Sequence, residues 1–150
     1  MIFRRAARSD LAAIVRMLAD DELGRRREND QDPLPEPYSA AFEKIDQDPN
    51  HELLVAENDA QVIGTLHLIF LPSISFQGGL RAQVESVRVD KRFQNQKIGS
   101  QLMQHAIRLA RVRGAHVMQL TSHNTRTEAH RFYERLGFQS SHVGMKLNLK

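Results

Sequence analysis

Three strand-like runs follow one another with no helical stretch between them: Glu52 to Glu57, Gln61 to Phe70 and Leu80 to Val89. Asn58-Asp59-Ala60 separates the first two and reads as a hairpin; Gly78-Gly79 marks the break before the third. Strands this close in sequence pair as antiparallel neighbours, because a parallel partner needs a long crossover. A purely parallel, doubly wound sheet is therefore excluded. Around this centre, Ile2 to Ala7 reads as a short first strand. Ser9 or Asp10 is placed to cap a helix carrying Leu11, Ile14, Val15 and Leu18 on one face, with Gly24 as its stop. Arg25 to Pro37 is the one long irregular stretch, and a short helix over Tyr38 to Ile45 follows it. Ile98 to Val112 predicts a helix buried along Ile98, Leu102, Ala106 and Leu109. His116 to Thr121 reads as a strand, Thr125 to Leu136 as a helix, and Phe138 to Leu149 as one or two final strands. The expected fold is α/β in the α+β sense: a mixed, mostly antiparallel central sheet with helices on both faces.

The 150 residues suffice for one domain spanning 1–150, and the composition, 41% hydrophobic and 26% charged, is that of a globular chain. The absence of cysteine excludes disulfides, thiolate-bound metal and a cysteine nucleophile. Val62 to Leu71 is half the length of a membrane span and carries His67. No apolar segment backs the arginines of Met1-Ile2-Phe3-Arg4-Arg5, so a cytoplasmic protein without membrane contact is expected. The formal charge is +3, with most basic residues arginine. That balance favours an anionic small ligand over nucleic acid, which needs basic residues gathered on one element. Arg108, Arg111 and Arg113 offer a little of that, without an aromatic platform between them.

Three segments carry possible chemistry. In Leu80 to Val89 the apolar positions are even at Leu80, Ala82 and Val84 and odd at Val87 and Val89. Such a parity break signals either a β-bulge near Glu85-Ser86 or a strand apolar on both faces. Next, Val89 to Ser100 runs from a strand through a polar turn into a helix N-terminus, where free amides and the helix dipole favour an anion. Last, Asn124 to Phe138 places Ala129, Phe132, Tyr133 and Leu136 on one helical face, where Tyr133 reads equally as a core residue.

Together these segments resemble the GNAT superfamily of N-acetyltransferases. Its acyl-CoA motif runs from a bulged strand through Arg/Gln-x-x-Gly-x-Gly/Ala into a helix. Its later motif is an asparagine followed by Ala-x-x-Phe-Tyr-x-x-x-Gly-Phe. Gln94, Gly99, Asn124, Ala129, Phe132, Tyr133, Gly137 and Phe138 stand at the matching positions. The turn departs from the pattern at Lys97, which replaces the middle glycine, and at Asn95. A side chain at position 97 either crowds a pyrophosphate or pairs with it.

The resemblance implies acetyl-CoA as donor, no metal, and the amine of a small molecule or peptide as acceptor. It assigns the pantetheine to Val87, Arg88, Val89 and Asn124, and the pyrophosphate to Gln94, Asn95, Gln96, Lys97, Ile98, Gly99 and Ser100. Tyr133 takes the position of the acid that protonates the leaving thiolate. Glu85, at the suspected bulge, is the candidate base, with His67, His123 and His130 behind it; the alternative is a glutamate paired to an arginine. Asn124 has a second reading as a helix cap. Asp20, Asp21, Glu22, Glu28, Asp30, Asp32 and Glu36 either attract a cationic amine or form a solvated loop. Dimerisation is common in the family, although no patch in the sequence marks a homodimer. A silent acyl-CoA sensor is the alternative function.

Overall fold

The computed structural model describes residues 1–150. Five strands form one sheet in the order of the sequence: β1 (Ile2–Arg5), β2 (His51–Asn58), β3 (Gln61–Pro72), β4 (Leu80–Val89) and β5 (Val117–Leu120). The first three pairings are antiparallel and β4–β5 is parallel, so the mixed, mostly antiparallel sheet is as expected. The β2–β3 hairpin turns on Asp59 and Ala60, both left-handed (φ 49° and 60°), a pairing whose twist matches that of the strands.

Helices cover both faces. On one, α1 (Leu11–Leu18) and α3 (Glu36–Gln47) bury Ile14 and Phe42 against Ala6 and Val55. On the other, α5 (Ile98–Val112) lays Leu102, Met103, Ala106 and Ala110 on Leu54, Leu66, Leu68, Phe70, Ala82 and Val84. Each fully buried aliphatic side chain there contributes about 1.5–3 kcal/mol. The expected α5 stripe is largely the observed one, shifted so that Ala110 is buried and Leu109 only partly so. A further helix, α6 (Thr127–Arg135), sets Phe132, Tyr133 and Leu136 against the edge of this core. A one-turn element, α4 (Ser75–Gly78), links β3 to β4.

Several local expectations are corrected. Asp10 does not cap α1; its carboxylate accepts from the Ala7 N–H and from Arg4. Gly24 is not a helix stop but lies inside a second short helix, α2 (Glu22–Arg27). Its hydrogen faces the end of α1 so closely that a Cβ would sit 1.9 Å from the Leu18 carbonyl oxygen. The irregular stretch is thus shorter than 25–37, because α2 takes its start and α3 begins at Glu36. No strand forms over Phe138 to Leu149. Val143, Met145, Leu147 and Leu149 alternate as a strand would, yet they stand 84–90% exposed, without a partner edge. No helix is long and apolar enough to cross a membrane.

Candidate active site

The parity break in β4 is a bulge. Pairing to β3 steps from His67↔Glu85 to Thr65↔Arg88, and Ser86 takes a left-handed conformation (φ 56°). Before the bulge Ala82 and Val84 face the α5 core; after it Val87 packs on that core and Val89 beside Ile98. Glu85 and Arg88 therefore project from the opposite face together, although they are three residues apart. The pairing of β4 to β5 ends at Val84↔Leu120. From Glu85 to Val89 the strand has no neighbour on that side. This open edge, which includes Val87 and Val89, leaves backbone groups without a strand partner.

Beyond β4, a 3-10 turn at Lys91–Phe93 leads into the segment Gln94 to Lys97, and α5 begins at Ile98. Asn95 and Lys97 both adopt left-handed backbone (φ 63° and 62°). Glycine suits those two positions because it lacks a Cβ, and asparagine tolerates them, whereas lysine there is strained by about 1–2 kcal/mol. The Lys97 side chain is exposed. Ile98, Gly99 and Ser100 form the first turn of α5, whose amides have no intrahelical acceptor. Such a turn followed by a helix N-terminus is a seat for phosphate oxygens. Gly99 lies where α5 passes Phe132 and Val89: a Cβ would meet the Phe132 ring at 3.4 Å and Val89 at 3.6 Å, ordinary van der Waals contact.

Tyr133 enters from α6, with its ring edge-on to Phe132 and Phe138. Burial raises its phenol pKa, while the positive charges of Arg88 and Arg126 oppose that rise. A phenol held protonated at neutral pH is suited to give a proton. Its hydroxyl makes no hydrogen bond within the chain, so the hydroxyl is not what anchors the ring in the core.

Glu85 is exposed and accepts a hydrogen bond from Gln83 Nε2 at 3.1 Å. It is not paired to an arginine. Its pairing partner His67 is neutral at physiological pH, since burial and then the neighbouring His51 push its pKa down to about 4. The His67 Nε2 is 2.9 Å from His51 Nδ1. His123 is tied to Thr125 and His130 to the His123 carbonyl. Asn124 is exposed and does not cap α6, which begins without a side-chain cap.

Asp21, read in the sequence only as one of the acidic stretch, meets Arg126, to which the sequence reading gave no role. Asp21 caps α2 through the Gly24 N–H and holds Arg126, its Oδ2 lying 2.8 Å from Nη1. The same oxygen is 3.8 Å from Arg88 Nη2. Burial pushes the Asp21 carboxyl up, but the Gly24 amide and the two arginines outweigh it and hold the pKa below the usual range. Of the rest of the acidic stretch, Asp20 meets Lys91, Glu22 meets Arg26, and Glu28 meets Arg27 and accepts from Tyr38, while Asp30, Asp32 and Glu36 form no ion pair. Arg113, one of the three arginines considered for nucleic acid, stacks on Phe70 and donates to Asn50. No group of three or more histidines or carboxylates is placed to hold a metal ion.

Comparison with known proteins follows from this geometry. The Acetyltransferase (GNAT) family matches residues 14–138. An aminoalkylphosphonate N-acetyltransferase from Salmonella typhimurium is 36% identical over 98 residues, which is 63% of this chain and 61% of that protein. The chain thus spans about three fifths of that curated relative. A Bacillus halodurans protein described as a transcriptional regulator is 46% identical, covers 99% of both chains and superposes with a TM-score of 0.96. A Clostridium acetobutylicum acetyltransferase solved with acetyl-CoA shares the fold (TM-score 0.77, 18% identity, 99% and 96% coverage).

Proposed function

The chain belongs to the GNAT acetyltransferase family, and from that premise we propose that residues 1–150 form an acetyl-CoA-dependent N-acetyltransferase domain acting on a primary amine of a small molecule or peptide. The observation that carries this reading is the junction of three features. They are an open β4 edge beyond a bulge, a phosphate-accepting turn at the α5 N-terminus, and a protonated phenol free of other hydrogen bonds.

The family uses acetyl-CoA as the acetyl donor. In the proposed roles, Val87 and Val89 hold the pantetheine arm by their backbone, and Asn124 supports it from the α6 side. The turn from Gln94 to Ser100, with Asn95, Gln96, Lys97, Ile98 and Gly99 between, receives the pyrophosphate on its amides. The acceptor must lose a proton, because an alkylamine with a pKa of about 10 is mostly an ammonium at neutral pH. Glu85 takes that proton through a water molecule. The free amine then bonds to the thioester carbonyl carbon and the carbon–sulfur bond breaks. Tyr133 gives its proton to the departing sulfur, and the proton that the nitrogen sheds on becoming an amide passes through water to the Tyr133 oxygen, restoring the phenol. With a thiol pKa of about 8.5, the released CoA is mainly the thiol at neutral pH, so the overall exchange leaves no charge behind.

The amine acceptor is proposed as a small molecule, in keeping with the Salmonella relative, whose name specifies an amino group and an acidic one. The Bacillus halodurans relative supports a second reading, an acyl-CoA-binding regulator without turnover. Tyr133→Phe separates the two because it deletes only the hydroxyl. Turnover is expected to fall about 10-fold or more, with the melting temperature and acetyl-CoA binding unchanged. Glu85→Gln is expected to lower the rate by about 10²–10⁴-fold. Acetyl-CoA binding by calorimetry without acetylation of any amine in a broad library would favour the regulator.

A further inference from the structure

Arg88 and Arg126 form a cationic pair that the protein leaves incompletely satisfied. Arg88 projects from β4 on the face opposite Val87, and its side chain is only 19% exposed. Its Nε is buried and has no hydrogen-bond partner. Nη1 donates to the Val87 carbonyl at 2.8 Å, and Nη2 stands 3.8 Å from Asp21, beyond hydrogen-bond reach. Arg126 lies at the start of α6, is 24% exposed, and makes one contact, to the same Asp21 oxygen. The other oxygen of Asp21 is committed to the Gly24 amide. Two guanidinium groups thus share one carboxylate oxygen, and a buried donor is left over.

A buried, unpaired arginine nitrogen is costly, and guanidinium groups bind carboxylate and phosphate as a planar fork. The charge balance of this cluster, two cations to one anion, calls for a second negative group. The charges of both arginines act on the Tyr133 phenol, so the cluster lies within electrostatic range of the proposed acid. The turn proposed for the pyrophosphate, Gln94 to Ser100, lies in the connection leading to α5, whereas Arg88 is on β4 and Arg126 stands at the start of α6.

We propose that Arg88 and Arg126 are the seat for an acidic group on the acceptor, so that the substrate is a primary amine bearing a carboxylate or a phosphonate or phosphate a few bonds from its nitrogen. Asp21 is the placeholder that holds the pair until that group displaces it. This inference rests on the acetyltransferase reading above and inverts the attraction expected from the acidic stretch. The acceptor is selected by an anion near the amine as well as by the amine itself.

The test uses three amines of similar size, 2-aminoethylphosphonate, 3-aminopropanoate and n-propylamine, with the full chain and saturating acetyl-CoA. The expected result is that kcat/KM for at least one of the two acidic amines exceeds that for n-propylamine by about 10-fold to 100-fold, the worth of charge-assisted hydrogen bonds. Comparing the two acids tells a carboxylate seat from a phosphonate one. Arg126→Gln is expected to reduce that ratio toward one, mainly through KM. Asp21→Asn, which keeps a capping side chain, is expected to shift the ratio the opposite way and to tighten inhibition by inorganic phosphate several-fold.

Equal kcat/KM for acidic and neutral amines overturns the anion seat and leaves the acetyltransferase reading standing. If no amine is acetylated, binding of 2-aminoethylphosphonate and inorganic phosphate is measured by calorimetry. Binding weakened by Arg126→Gln and strengthened by Asp21→Asn keeps the seat while the acetyltransferase reading fails. Binding indifferent to both substitutions overturns the seat. Unchanged thermal unfolding of each variant shows that the fold is intact; if Arg126→Gln unfolds the chain, Arg126→Lys, which keeps the charge and loses the fork, serves in its place and is expected to lower the ratio less.

Discussion

Two aspartates near α1 are surrounded by arginine in opposite proportions. At the N-terminal end, one arginine serves two carboxylates. Arg4 binds Asp10 through both terminal nitrogens (2.7 and 3.1 Å) and reaches Glu57 with Nε at 2.6 Å. The Ala7 amide completes Asp10 at 2.7 Å. At the C-terminal end, one carboxylate serves two arginines, and Arg88 keeps a buried nitrogen without a partner. The first cluster is closed: it locks β1, β2 and the approach to α1, with Asp10 only 9% exposed. The second is open, more exposed at Asp21 (34%), and lies beside Tyr133. A charge cluster that serves only the fold satisfies its donors; one left short of an anion keeps capacity for a ligand.

The sharpest way to break this comparison is to remove each aspartate in turn. Asp10→Ala leaves the Ala7 amide unpaired and Arg4 with only Glu57 as a carboxylate partner, and is expected to cost about 2–4 kcal/mol in denaturant unfolding. A loss below about 1 kcal/mol would make the two clusters equivalent.

The second expectation concerns pH. The Arg4 hydrogen bond, helped by the Ala7 amide, holds the Asp10 pKa below its unfolded value. Its contribution is therefore fully present above an unfolded pKa of about 4 and is lost as pH falls through the lower folded value. Unfolding free energy measured below about pH 4 should drop by at most about 1.4 kcal/mol per pH unit from this one group. Asp10→Asn should flatten that limb. Asp21→Asn should flatten it less, because its pair is closer to solvent and better screened. Equal flattening would remove the distinction.

The smallest effect is expected at Asp21 itself. Asn caps a helix about as well as Asp, and the Arg126 pair is partly exposed. Asp21→Asn is therefore expected to change stability by less than about 1 kcal/mol. A loss comparable with that of Asp10→Ala would mark Asp21 as a fold residue.

Much of the architecture was legible from periodicity and punctuation. The spans of β4 and α5 are those the sequence suggests, Leu80 to Val89 and Ile98 to Val112. The β2–β3 hairpin at Asn58 to Gln61 likewise follows from local turn chemistry. The parity break of β4 pointed to a bulge or to a strand apolar on both faces, and the register step at Glu85 to Arg88 decides for the bulge. The turn was legible too: the two left-handed residues, Asn95 and Lys97, are the ones standing where the resembled family has glycine.

The misses share a cause. Gly24 looked like a stop because glycine ends helices, but its requirement is a close approach of α2 to the Leu18 carbonyl, a contact between separate elements. The alternation of Val143, Met145, Leu147 and Leu149 suggested a strand. Periodicity records that one side of a segment is apolar; it does not supply the hydrogen-bonding edge that makes a strand. The carboxylates from Asp20 to Glu36 read as an acidic region, although most of their charge is cancelled by arginines and lysines, two of them from distant segments, Lys91 and Arg126.

By itself, then, the sequence determined most of the elements, their order and the family, because each depends on neighbours along the chain. Only the tertiary structure decided the sign of the cleft. Asp21, Arg88 and Arg126 are far apart in sequence, and electrostatic character belongs to charges that meet in space. Local composition around Asp21 is acidic; the folded neighbourhood of Tyr133 is cationic.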